Sequence, residues 1–185
     1  TCTEYSDDFI GRKCPAYGLL LGSGNLTGTI PESLGLINFV GSSLNLLYLN
    51  NNNITGTISE KLGQLTDLTS INLSQNQLTK SIPETFKNLV KLQILDLHNN
   101  TLTGTIMNSV GVLTNLQELN LTANNLVGTI PKSIGNLLAL EHLSVSQNNL
   151  EGTMIEELGN LTELQTLELA LNHFIGPIPD LSRLY

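Results

Sequence analysis

Apolar positions recur along this chain on a fixed step. Leu47 and Leu49 flank a single position, and the same apolar-x-apolar pair returns as Ile71/Leu73, Leu95/Leu97, Leu119/Leu121, Leu143/Val145 and Leu167/Leu169, 24 residues apart each time. Three residues past each pair stands Asn52, Asn76, Asn100, Asn124, Asn148 or Asn172, and two further on an apolar residue, from Ile54 to Phe174. Gly56, Gly104, Gly128, Gly152 and Gly176 come next, with Lys80 the one exception, and then Ile58, Ile82, Ile106, Ile130, Met154 and Ile178. Alternation with period two predicts a short strand with one buried face. A register held this long predicts a solenoid, because one coil is too thin to bury its own apolar side and needs a like coil beside it.

An earlier copy runs Leu19, Leu21, Leu26, Gly28, Ile30, Pro31. It lies 28 residues before the next, which places four extra residues near Val40 to Ser43, and it carries Gly24 where the others carry Asn. The recurrent Asn is expected to turn inward and bond backbone groups that a sharp turn leaves unpaired. Pro31 to Gly35 and its later copies predict a short convex helix or 3₁₀ turn, with proline presetting φ at its start. The column Leu34, Leu62, Phe86, Val110, Ile134, Leu158 is expected to point into the core.

This pattern resembles the leucine-rich repeat, and Leu-Thr-Gly-Thr-Ile-Pro at Leu26 to Pro31 resembles its plant-type subclass, found in plant receptor ectodomains and similar secreted proteins. The resemblance covers Leu19 to Pro179. It implies an α/β solenoid: a curved right-handed superhelix with a parallel concave sheet, short second strands at Thr-Gly-Thr-Ile, and convex helical turns. Residues 1–18 would form an N-terminal disulfide cap and 19–185 a solenoid of about seven coils without a C-terminal cap. The implied function is a non-catalytic extracellular recognition or scaffold module, binding protein, peptide or glycan through its concave face. A structural component of a cell-surface assembly is the nearest rival.

Cys2 and Cys14 both precede the first repeat and read as one disulfide closing a small loop. A zinc pair is the alternative, although two ligands do not make a site. The absence of Trp departs from the Trp-containing cysteine cap of many plant-type members. A disulfide places the chain in an oxidising compartment, secreted or at the cell surface. The chain begins at Thr1 with no signal peptide, as a mature product or a cut fragment would. Neighbouring chains or further sequence are expected against its uncapped C-terminal end.

The 185 residues hold 8 Lys and Arg against 16 Asp and Glu, for a net charge of −8. An acidic chain without a basic cluster is a poor nucleic-acid partner. No apolar run approaches the roughly 18 residues of a membrane helix, so no direct membrane insertion is expected of this segment. Strand alternation selects a candidate concave binding face: Leu46, Tyr48, Asn72, Ile94, Asp96, His98, Glu118, Asn120, His142 and Glu168. Tyr48, Leu46 and Ile94 are its candidate anchors. Asp96 and His98 share a face at i, i+2, whereas His98 and His142 stand roughly 16 Å apart, too far to share an ion. No cofactor, metal or catalytic residue is expected, since a dyad without a nucleophile is not an active site.

Two modification or ligand patterns remain. Asn25, Asn53, Asn72, Asn99, Asn120 and Asn160 each begin Asn-x-Ser/Thr and are candidate glycosylation sites, with Asn72 and Asn120 on the concave strands. Thr27, Thr29, Thr55, Thr57, Thr79, Ser81, Thr103, Thr105, Thr129 and Thr153 form a hydroxyl ladder, expected as a flat array with both columns outward. Such arrays resemble those of ice-binding solenoids, an alternative function for this chain.

Overall fold

The structure is a computed structural model and describes residues 17–37 and 44–184. Cys2, Cys14 and the extra residues near Val40 to Ser43 lie outside the described residues, as does the expected cap up to residue 16. Residues 17 and 18, expected in the cap, instead start the first concave strand, Tyr17–Leu20.

That strand opens a seven-stranded parallel sheet continued by Leu44–Tyr48, Ser70–Asn72, Ile94–Asp96, Glu118–Asn120, His142–Ser144 and Thr166–Glu168. Like positions face each other: Leu47 pairs Ile71, Leu95 pairs Leu119, and Leu143 pairs Leu167. The 24-residue step is therefore the sheet register, and every inward residue meets its own counterpart. Leu47, Ile71, Leu95, Leu119 and Leu143 are essentially sealed from solvent. They belong to one aliphatic core that runs from Ile30 to Leu164. Burying a Leu or Ile side chain contributes about 1.5–3 kcal/mol, and a core shared between coils makes that gain available only to the stack.

The convex side carries 3₁₀ turns at Glu32–Leu36, Glu60–Gln64, Glu84–Asn88, Asn108–Val112, Lys132–Asn136 and Glu156–Asn160. Pro31, Pro83 and Pro131 precede three of them with φ of −69°, −62° and −72°. The predicted inward column is buried at all six positions, with Phe86 the largest fully sealed side chain. Second strands run from Thr27–Thr29 to Thr101–Leu102 in a four-stranded sheet, and from Val127–Gly128 to His173–Ile175 in a three-stranded one.

Asparagine ties each coil to the one before. Asn100 accepts at Oδ1 from the Leu78 backbone N–H (2.9 Å) and donates from Nδ2 to the carbonyls of Leu73 (3.0 Å) and Leu97 (3.1 Å). Asn76, Asn124, Asn148 and Asn172 repeat the pattern. Asn52 accepts from both Gly24 (3.0 Å) and Leu26 (2.8 Å), so the first coil is held although it lacks its own Asn. In the last described coil Leu171, Ile175 and Ile178 are 72%, 67% and 74% exposed.

Candidate functional site

Two columns run across the outer face of the concave sheet. One is Leu46, Ser70, Ile94, Glu118, His142, Thr166; the other is Tyr48, Asn72, Asp96, Asn120, Ser144, Glu168. The register puts neighbours about 4.8 Å apart, so all the candidate residues share one continuous surface, with His98 two residues beyond Asp96.

Their environments differ. Leu46, Tyr48 and Ile94 are half-buried, and the Tyr48 hydroxyl meets Ser70 Oγ at 3.0 Å. Asn72, Asp96 and Asn120 each fold back on their own strand: the side-chain oxygen accepts from the backbone N–H of Ser74 (3.0 Å), His98 (3.1 Å) and Thr122 (3.2 Å). Glu118 is half-buried, and its carboxylate has no hydrogen-bond or ion-pair partner among the described residues. His142 Nδ1 lies 2.7 Å from Thr166 Oγ1, and Glu168 accepts from Ser144 Oγ at 2.9 Å.

Asp96 departs from the exposed position alternation gave it. It is only 7% exposed, because His98 folds over it with Nδ1 2.7 Å from Oδ1. Gln75 meets the far side of the His98 ring, its Nε2 3.3 Å from His98 Nε2. These contacts are satisfied when Nδ1–H donates to Asp96 and Nε2 accepts from Gln75. Gln75 was missed in the sequence; its only signal is its place in the turn column one coil before Asn99. Ser70 and Ser74 are likewise nearly buried where alternation points them outward. Among the described residues, no group of three or more His, Cys, Asp or Glu is placed to hold a metal ion.

The lysines of the described residues lie elsewhere. Lys61, Lys87 and Lys132 belong to the convex 3₁₀ turns, and Lys80 ends a second strand. Lys91 pairs with Asp67 across the turns that follow two of the 3₁₀ segments. The carboxyls held below their ordinary range are also off the concave face. The Glu157 carboxyl is lowered by a backbone hydrogen bond and by Lys132, and the Asp180 carboxyl by the backbone N–H of Ser182.

The ladder residues are all exposed. Thr29 pairs Thr55 and Thr57 pairs Thr79, two residues short of the coil repeat, so the two hydroxyl columns interleave on a stagger. The Thr55 and Thr79 hydroxyls donate to the carbonyls of Gly28 (3.1 Å) and Gly56 (3.0 Å) in the preceding coil. Among the sequons, Asn25, Asn53, Asn99 and Asn160 are exposed, while Asn72 and Asn120 are half-buried.

A parallel concave sheet, an asparagine ladder and convex 3₁₀ turns define a leucine-rich repeat solenoid. The sequence model described as a leucine-rich repeat region matches residues 36–176, and the chain belongs to that family. Its similar solved structures include that of the Arabidopsis receptor kinase HAESA in complex with the peptide hormone IDA and the co-receptor SERK1: 35% identity, TM-score 0.77, over 83% of this chain and 25% of that one. A TDR receptor matches at 32% identity and TM-score 0.78, over 83% and 26%. The ectodomain of the receptor kinase SOBIR1 from Arabidopsis thaliana matches at 30% identity and TM-score 0.64, over 69% and 71%. The chain thus spans about a quarter of the length of the first two. No curated protein matches it.

Proposed function

We propose that this chain is a non-catalytic extracellular recognition module that binds a peptide or protein ligand across its concave sheet. The observation that carries this reading is the in-register outer face of that sheet, where Leu46, Tyr48 and Ile94 offer apolar area beside hydrogen-bonding and acidic groups. Binding surfaces draw their energy from such half-buried aromatic and aliphatic anchors within a polar rim. The similarity to receptor ectodomains supports the same reading, since the HAESA structure holds a peptide hormone. A parallel sheet braced on its far side by a shared core is rigid, so a ligand loses little affinity to reorganisation of the protein.

The test is selection of random displayed heptapeptides on the purified chain. Peptides so recovered are expected to lose binding at least tenfold to Tyr48→Ala with Ile94→Ser, and to keep it against Leu138→Ser on the convex side, where Leu138 is 58% exposed. Peptides indifferent to the concave pair would overturn the reading.

A further inference from the structure

The concave face is divided along its length. Its apolar side chains, Leu46, Tyr48 and Ile94, lie in the first coils, and its acids, Asp96, Glu118 and Glu168, begin where those end. In one column Ile94 stands directly beside Glu118. Every lysine and arginine of the described residues sits off this face. The acids are not equivalent. Asp96 is occupied by His98, and Glu168 already accepts from Ser144. Glu118 is half-buried between Ile94 and His142, and its carboxylate has no partner among the described residues. A ligand laid over Glu118 removes water from an ionised carboxylate, which is unfavourable unless the ligand returns a cation.

We propose that the ligand of this face is an extended peptide with an apolar end and a basic end. The apolar end seats on Leu46, Tyr48 and Ile94; lysine or arginine at the other pairs with Glu118 and Glu168. This rests on the concave face being the binding surface. Leu46 and Glu168 lie five strands apart, about 24 Å at 4.8 Å per strand. That span matches about seven residues of extended chain. Arginine fits best, because its planar donors can engage a carboxylate in two parallel bonds. Opposite charge across the face also steers encounter and rejects acidic peptides.

The same displayed heptapeptide library decides it. Pools enriched on the chain are expected to carry excess lysine and arginine toward one end and apolar residues toward the other. Single recovered peptides are expected to bind Glu118→Gln/Glu168→Gln at least tenfold more weakly and Glu84→Gln/Glu156→Gln, on the convex turns, within twofold. Raising salt from about 50 to 300 mM weakens binding to the unaltered chain and barely affects the double variant. Equal unfolding temperatures for the three proteins keep the comparison one of binding. An enriched pool that is neutral or acidic, yet sensitive to Tyr48→Ala with Ile94→Ser, would overturn the charge assignment and leave concave recognition standing. No enrichment over a blank surface would overturn both.

Discussion

A buried asparagine is tolerated here because all of its polar atoms find partners in two coils at once. Asn100 bonds Leu78 in its Oδ1 direction and Leu73 and Leu97 in its Nδ2 direction, and all four residues are buried. Aspartate has the same shape and no donor. Asn100→Asp is therefore expected to cost about 3 kcal/mol or more, at least as much as Asn100→Ala, since it sets a carboxylate against two carbonyls. Chemical denaturation measures the difference; a tolerated Asp would mean the ladder is not what joins the coils. Lys80 is the opposite case. It takes φ +68°, where five of the other repeats have glycine at +80° to +83°. A side chain in the left-handed region costs about 1–2 kcal/mol, offset in part by the entropy glycine loses on folding. Lys80→Gly is expected to stabilise the chain by about 0.5–1 kcal/mol, visible as a higher unfolding temperature.

The elements stack at distances that leave no room at particular positions. A Cβ on Gly63 would lie 2.5 Å from the Thr85 carbonyl oxygen, and one on Gly111 would lie 2.2 Å from that of Ser133. Backbone of the next 3₁₀ turn occupies the space, and it cannot swing aside as a side chain can. Gly63→Ala is expected to destabilise by about 2 kcal/mol or more, whereas Ala at the exposed Gln64 beside it changes little; thermal unfolding of the two variants decides. Coil three shows what happens without the glycine. Lys87 stands at that position, and its 3₁₀ turn packs on the next less closely than its neighbours do. The second strands make a further point at this scale. They are offset by two residues from one coil to the next, and the Thr55 and Thr79 hydroxyls are engaged by the Gly28 and Gly56 carbonyls rather than left for a ligand. Concentrated protein is expected to leave ice growth and freezing point unchanged in a nanolitre osmometer.

Across the whole molecule, the sequons divide by surface. At Asn25, Asn53, Asn99 and Asn160 both the asparagine and the hydroxyl residue two positions on are exposed. At Asn72 and Asn120 they are not: Ser74 is 3% exposed and its hydroxyl donates to Asn72 Oδ1 at 2.6 Å, while Thr122 Oγ1 is buried without a partner. Glycans are expected on sites of the first group and absent from Asn72 and Asn120, which keeps the concave face open. Peptide mapping by mass spectrometry of secreted protein would show it, and occupancy at Asn72 or Asn120 would close the surface proposed for binding. The repeat, the strand register, the inward column and the role of asparagine were all legible in the order of residues, because a stack of identical coils converts sequence period directly into spatial contact. Which outward-facing residues are available was not legible. Asp96, Ser70 and Ser74 alternate outward like Glu118, yet His98, Gln75, Tyr48 and Asn72 cover or bond their neighbours from adjacent positions and adjacent coils. The stagger of the second strands was hidden for the same reason. A period fixes what recurs along the chain, while the fit of one coil against the next sets offset and exposure, and that fit exists only once the coils are side by side.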